Sequence, residues 1–175
     1  MKNIVNNTTT ANVINTSDIA TNRNIVLCGV GGQGTVLASK LLAAAAMSKD
    51  IPVMSAETIG MAQRGGSVFS HLRMGKNLYS PMIKTGTADL IIGFEPGETV
   101  RMLPYLKKHI ENLTLIDADT ICREIGSQKV LNMVLLGAAI RTGVLNFSLE
   151  EIEEVMKKTL PEKFHEMNLK ALRYA

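Results

Sequence analysis

The chain has 175 residues, enough for one domain with a substantial buried core. Its formal charge of +3 comes from interspersed basic and acidic residues, which excludes the one-signed surface of a nucleic-acid binder. Two distant cysteines, Cys28 and Cys122, give neither a disulfide framework nor a metal pattern, and no apolar run approaches the ~18 residues of a membrane span.

Residues 1–22 are rich in Asn and Thr, show no sustained period and lack the charged-then-apolar shape of a signal peptide. They read as a flexible polar leader outside the fold, and the folded domain is expected over 23–175. A cytoplasmic, reducing location is the default. Ile25 to Cys28 is a short apolar strand that ends in glycines, and Cys28 at its end reads as a buried free thiol. From Gly34 to Met47 the chain is alanine-rich with few polar positions, a strong helix former expected to be buried against a sheet. Pro52 to Ser55 is the next strand. Val68 to Met74 alternates and predicts a half-exposed strand, with His71 at a surface or satisfied position. Gly75-Lys76-Asn77 is a turn.

Ala88 to Phe94 predicts a buried strand. Pro96 opens a helix through Lys108, with Glu98 near its start and Lys107, Lys108 and His109 near its end, the order that suits the helix dipole. Leu113 to Asp117 predicts another strand. Asn132 to Arg141 is an apolar helix with Gly143 as its stop. Ser148 and Glu151 form a capping box for a helix that Pro161 ends, and Phe164 to Ala175 predicts a last docked helix. Strands alternating with helices imply an α/β class: a single Rossmann-like three-layer domain, a largely parallel sheet with helices on both faces.

Two glycine-bearing loops stand out. The first, Cys28-Gly29-Val30-Gly31-Gly32-Gln33-Gly34, satisfies G-x-G-x-x-G between a strand and a helix. There the main chain can turn tightly, a ligand can come close, and the helix start presents free N–H groups to an anion. The alternative is that the glycines only permit close strand–helix packing. A dinucleotide site also wants an acidic residue about 20 residues on; Glu57, 23 residues past Gly34, is loosely placed for it. Gln33 adds an amide that both donates and accepts. The second loop, Ala56 to Val68, frames Gln63-Arg64 with Gly60, Gly65 and Gly66, so that Arg64 can present its planar fork to a carboxylate or phosphate, or else lie solvated, with Glu57 as a potential partner. Loops at the carboxyl ends of neighbouring strands in an open α/β sheet face one crevice. No C-x-x-C, no Gly-Asp-Gly with a distant Asn, no phosphate-binding G-x-x-x-x-G-K-[ST] and no evident nucleophile–base arrangement occurs. A crevice with anion-binding loops but no reactive group reads as part of an enzyme.

At these residues the chain resembles the gamma-type subunit of 2-oxoacid:ferredoxin oxidoreductases, the pyruvate/ketoisovalerate oxidoreductase family. The segment Glu57…Gly60-Met-Ala-Gln-Arg-Gly-Gly-Ser-Val68 is most similar to the beta subunit of the indolepyruvate branch. Asn132-Met-Val-Leu-Leu-Gly137, Pro161 and Glu166 to Ala171 also resemble it, and the likeness runs from about residue 24 to the end. The resemblance implies an anaerobic, cytoplasmic, heteromeric enzyme that decarboxylates a 2-oxoacid on thiamine diphosphate, passes electrons through iron–sulfur clusters to ferredoxin and the acyl group to coenzyme A. Thiamine and clusters would belong to a large partner subunit. This chain would bind no metal and hold no cofactor tightly, would shape the active site, and would be inactive alone, with coenzyme A as its candidate ligand and a homodimer open for the isolated chain. Gly29, Gly31, Gly32, Gln33 and Gly34 are then candidate phosphate contacts. Thr58, Gln63 and Arg64 are candidate contacts to substrate, coenzyme A or partner. No single residue is assigned as catalytic. Two alternatives stand beside this reading: a stand-alone NAD/FAD-binding Rossmann module, and a scaffold with an empty crevice.

Overall fold

The computed structural model describes residues 22–58, 65–108 and 114–174. The polar leader through residue 21, Gln63, Arg64, His109 and Leu113 lie outside the described residues.

Four strands form the sheet: β1 (Arg23–Val30), β2 (Val53–Thr58), β3 (Ser67–Met74) and β4 (Leu90–Gly93), in the order β2-β3-β1-β4. β1 pairs parallel with β4, while β3 pairs antiparallel with both β1 and β2. The expectation of a largely parallel sheet is therefore corrected: among the described strands the sheet is mixed. β1, β2 and β4 do run in one direction, but β3 turns back from β2 and wedges itself between β2 and β1. Alternating strand and helix patterns in a sequence do not reveal that insertion.

β3 is an interior strand, which corrects a second expectation. Ser70, His71 and Leu72 are fully buried, because neighbours cover both faces. One face of the sheet carries Ile25, Leu27, Leu72, Met74 and Ile92. Against it pack α1 (Thr35–Met47) and α4 (Leu131–Arg141); behind them α5 (Leu149–Thr159) lies on α1, α6 (His165–Tyr174) lies on α4, and α3 (Ala118–Ile125) touches α4 and α6. The alanine-rich α1 lies close because Ala38, Ala45 and Ala46 are small, and Leu41 and Leu42 fill the remaining space. The other face, with Val26 and Cys28, is covered by Ile83 and Ala88 from the chain before β4 and by Met102 and Tyr105 after it. So helices do not share the two faces evenly: among the described residues, only α2 (Pro96–Met102) and a short 3-10 turn, Leu103–Tyr105, serve the second.

The single helix expected from Pro96 to Lys108 stops at Met102, since Pro104 cannot supply the N–H that continuation requires. The strand expected at Leu113 to Asp117 is also absent from the described part: Thr114 to Asp117 joins no ladder. Ile116 packs on the core and Leu115 is exposed, and Asp117 turns at once into the N-cap of α3, accepting from the Thr120 N–H at 3.1 Å. Sequence reasoning placed no element over α3. The capping box at Ser148 and Glu151 forms as expected, Gly143 takes the left-handed conformation after α4, and the last helix docks.

Candidate functional site

β1, β2 and β4 end at the same edge of the sheet, and β3 begins there. The first glycine loop leaves β1 at this edge. Gly29 and Val30 still belong to β1, opposite Val68 and Ser67 of β3. Gly32 follows at φ +104, where an added Cβ would meet none of the described residues within 4 Å. Gly34, at φ +83, is the N-cap of α1. Positive φ at both positions favours glycine, since a side chain there strains the backbone.

The second loop returns to the same place. The Gly31 N–H donates to the Gly66 carbonyl at 2.8 Å, and the Gly65 N–H donates to the Gly31 carbonyl at 3.4 Å. The two glycine loops thus touch through their main chains. The Ser67 hydroxyl then donates to the Glu98 carboxylate at 2.6 Å, tying the second loop to α2. Thr58 ends β2 level with Phe69 and Cys28, exposed and two strand spacings (about 10 Å) from β1.

Gln33 holds the first loop rather than reaching outward. Its Oε1 accepts from the Val30 N–H at 2.8 Å and its Nε2 donates to the Phe94 carbonyl at 3.2 Å. Its expected part as a ligand contact is replaced, in these bonds, by a brace between β1 and β4. Gly29 is also a packing glycine: an added Cβ would lie 2.7 Å from the Phe94 Cβ and 2.5 Å from Gln33 Oε1. Of the first loop, Gly31, Gly32 and Gly34 are the partly or fully exposed glycines.

The electrostatics separate the two walls. Glu95 caps α2, accepting from the Glu98 N–H at 2.7 Å, and the backbone N–H groups of Glu98 and Gly97 hold its carboxyl below the ordinary range. Burial pushes the Cys28 thiol up to about 11, with Glu98 and Glu95 acting in the same direction, so it is a protonated packing group and not a nucleophile. On the opposite wall α1 and α4 start with no acidic residue in the first turn and no side-chain cap. An anion would be accepted at the α1 side and repelled at the α2 side.

The sequence matches the family described as "Pyruvate ferredoxin/flavodoxin oxidoreductase" over residues 24–110 and 107–175. The chain belongs to that family. It is similar to "Indolepyruvate oxidoreductase subunit IorB" of Methanothermobacter thermautotrophicus, with 35% identity over 87% of this chain and 95% of the relative. It is 30% identical to "Pyruvate/ketoisovalerate oxidoreductases common subunit gamma" of Thermococcus litoralis, over 84% of this chain and 91% of that one. The fold matches the keto/oxoacid ferredoxin oxidoreductase gamma subunit from Geobacter sulfurreducens PCA at a TM-score of 0.67 and 25% identity, covering 86% and 94% of the two chains. This pyruvate ferredoxin/flavodoxin oxidoreductase family member is thus a gamma-type subunit of a heteromeric oxidoreductase.

In this oxidoreductase subunit the dinucleotide alternative meets a geometric obstacle. The acidic ribose partner of a Rossmann site stands at the end of the strand next to β1. Here β3 occupies that position and Glu57 sits one strand further out, on β2 opposite Ser70. Three residues near the loop escaped sequence reasoning as site groups. Thr35, at the first position of α1, and Asn132, at the second of α4, are almost fully buried, and Glu98 receives Ser67. A polar residue among the apolar side chains of α4 was the only legible signal for Asn132.

Among the described residues no His, Cys, Asp or Glu cluster forms a metal ligand set, and no helix is long and apolar enough to cross a membrane.

Proposed function

We propose that this chain is the subunit without redox cofactors in a coenzyme-A-dependent 2-oxoacid:ferredoxin oxidoreductase acting on indolepyruvate or a related aryl pyruvate. Thiamine diphosphate and iron–sulfur clusters supply decarboxylation and electron transfer from a larger partner subunit. This chain shapes the crevice and holds part of coenzyme A. The observation that carries the reading is the main-chain contact of Gly31 with Gly65 and Gly66, which makes one wall from two glycine loops.

The residues present fit a phosphate-bearing ligand. Gly32 leaves open space, and the α1 start offers N–H groups uncapped by any side chain. Gly29, Gly31 and Gly34 shape the turn that brings main chain to the anion, with Gln33 bracing it. Thr58, Gln63 and Arg64 are proposed contacts to substrate, coenzyme A or partner. The two cysteines do not fit a cluster, because Cys28 and Cys122 are buried in separate parts of the core. The aryl substrate is supported by the relatives: the subunits named for indolepyruvate oxidoreductase reach 35% identity, those named for pyruvate and ketoisovalerate 30%. Val100, Leu103 and Tyr79 are exposed around the face carrying α2 and suit a partner surface. The assembly is placed in the cytoplasm, with ferredoxin reached through the complex.

Coexpression with the large subunit tests this. The complex is expected to reduce ferredoxin with indolepyruvate in a reaction that requires coenzyme A, and the isolated chain, monomer or homodimer, is expected to be inactive. Turnover by the isolated chain, or a complex that prefers pyruvate and ignores aryl 2-oxoacids, would overturn the proposal.

A further inference from the structure

We propose that Asn132 is a ligand contact of the glycine-loop site, donating from Nδ2 to an anionic, phosphate-type oxygen held at the start of α1. The inference rests on the reading that this loop binds a phosphate-bearing ligand, and it adds a side chain to a site so far built from main chain.

Asn132 is 2% exposed and sits at the second position of α4. Its Oδ1 accepts from the Met133 N–H at 3.0 Å. That bond fixes the amide's orientation and leaves Nδ2 as the free end. Nδ2 faces Gly34, the N-cap of α1, closely enough that a Cβ added to Gly34 would lie 2.7 Å from it. Among the described residues Nδ2 has no acceptor.

A second, independent observation lies beside it. Thr35, the first residue of α1, is 3% exposed, and its hydroxyl is buried without a hydrogen-bond partner. It does not take the Asn132 proton, although it lies just beyond Gly34 in the chain. Two polar side chains, both more than nine-tenths buried, therefore flank the α-helix start that the glycine loop exposes, and the Thr35 hydroxyl of the pair has no hydrogen-bond partner among the described residues. The other starts differ: Glu95, Asp117 and Ser148 each supply a side-chain acceptor at α2, α3 and α5, and acidic residues stand in their first turns. At α1 and α4 there is none, so an incoming anion meets no competing carboxylate.

Asn132→Asp separates ligand contact from packing. The aspartate keeps the shape and the acceptor for the Met133 N–H, and a carboxylate in the first turn of α4 favours the helix. It also replaces the donor with a negative charge facing the anion. The purified complex of this chain with its large subunit is the material. The expected result is an assembled complex, at some cost in thermal stability from the buried carboxylate, with at least about tenfold weaker coenzyme A binding by calorimetry and a matching rise in KM for coenzyme A, as for a lost charge-assisted hydrogen bond. KM for the 2-oxoacid should move far less. Inorganic pyrophosphate, used alone, should raise the melting temperature of the wild-type complex and not that of the variant. Should Asn132→Asp fail to assemble, Asn132→Ser carries the same measurements.

Gly32→Asp in the same complex distinguishes the two layers of the argument. Weakened coenzyme A binding in both variants supports the inference. Weakening in Gly32→Asp alone overturns it while the loop reading stands. Normal binding in both overturns the loop reading and this inference together. A rise confined to KM for the 2-oxoacid assigns the Asn132 anion to the substrate carboxylate and overturns the phosphate contact.

Discussion

Gln33 and Phe94 tie the glycine loop to the end of β4: the Gln33 Nε2 donates to the Phe94 carbonyl while its Oε1 accepts from Val30. The side chain thereby spans the two parallel strands that define the crevice, β1 and β4. A residue that read in the sequence as a candidate ligand contact is, in these bonds, a strut that sets the loop's shape.

Gln33→Ala removes both bonds and leaves the Val30 N–H and the Phe94 carbonyl without this partner. The expected loss is about 1–3 kcal/mol of stability. Gln33→Glu keeps the acceptor for Val30 but turns a carboxylate oxygen toward the Phe94 carbonyl, so it too should be destabilised. Urea denaturation of the isolated chain measures both. Stabilities equal to that of wild type would show that the strut is unimportant.

Gly137 marks a close helix crossing. A Cβ at this position would lie 2.1 Å from the Leu172 carbonyl oxygen, so α4 and α6 approach through the missing side chain. Gly137→Ala must push the two helices apart and is expected to destabilise by about 1–3 kcal/mol, although alanine is the better helix former. The sign of the change is the check: a stabilised variant in chemical denaturation would show that α6 can shift freely.

How much of this was legible follows from the range of each interaction. The capping box of Ser148 and Glu151, the apolar face of α1 and the glycine turn after β1 depend on neighbours within a few residues, and the sequence carries them openly. The position of β3 between β1 and β2 does not: it depends on which strand claims the place beside β1, a choice made across the 49 residues of chain from Arg73 back to its partner Asn24. His71 illustrates the consequence. Alternation in a half-exposed strand left it at a surface or satisfied position, and insertion of β3 into the sheet's middle buried it, with its Nδ1 taken by the Ile83 N–H. In the candidate site the glycines were visible as a motif. Asn132 was not, because only the packing of α4 beside α1 brings it to Gly34.

His71 makes the fold sensitive to acid. Its Nδ1 accepts from the Ile83 N–H at 2.8 Å, and the ring packs against Phe69 and Tyr105. Burial holds the imidazole below its ordinary 6.5. The unfolded chain therefore takes up the proton first, so this group's contribution is fully present above about 6.5 and is lost as pH falls from there toward the lower folded value. Protonation would also end the bond from Ile83, releasing the segment over the second face of the sheet. The wild-type chain should lose stability on acidification from neutral pH, and His71→Gln should flatten that part of the curve. Parallel curves for the two proteins in denaturation at several pH values would show that another group is responsible.

The bond from Ser67 to Glu98 should govern how the second loop meets the first. Ser67 follows Gly65 and Gly66, which hold Gly31, so the hydroxyl anchors the loop's exit to α2 at 2.6 Å. Ser67→Ala leaves the buried Glu98 carboxylate with Arg101 at 3.5 Å as its remaining described partner. The Gly31 contact is then expected to loosen, with a several-fold rise in KM for coenzyme A in the assembled complex. Glu98→Gln preserves an acceptor and should be milder. In the double variant the two effects should fall short of their sum, with a coupling of roughly 1 kcal/mol, because both act through one bond. Strict additivity in the KM values of the four proteins would mean that Ser67 and Glu98 act separately and that the second loop is positioned by Gly65 and Gly66 alone.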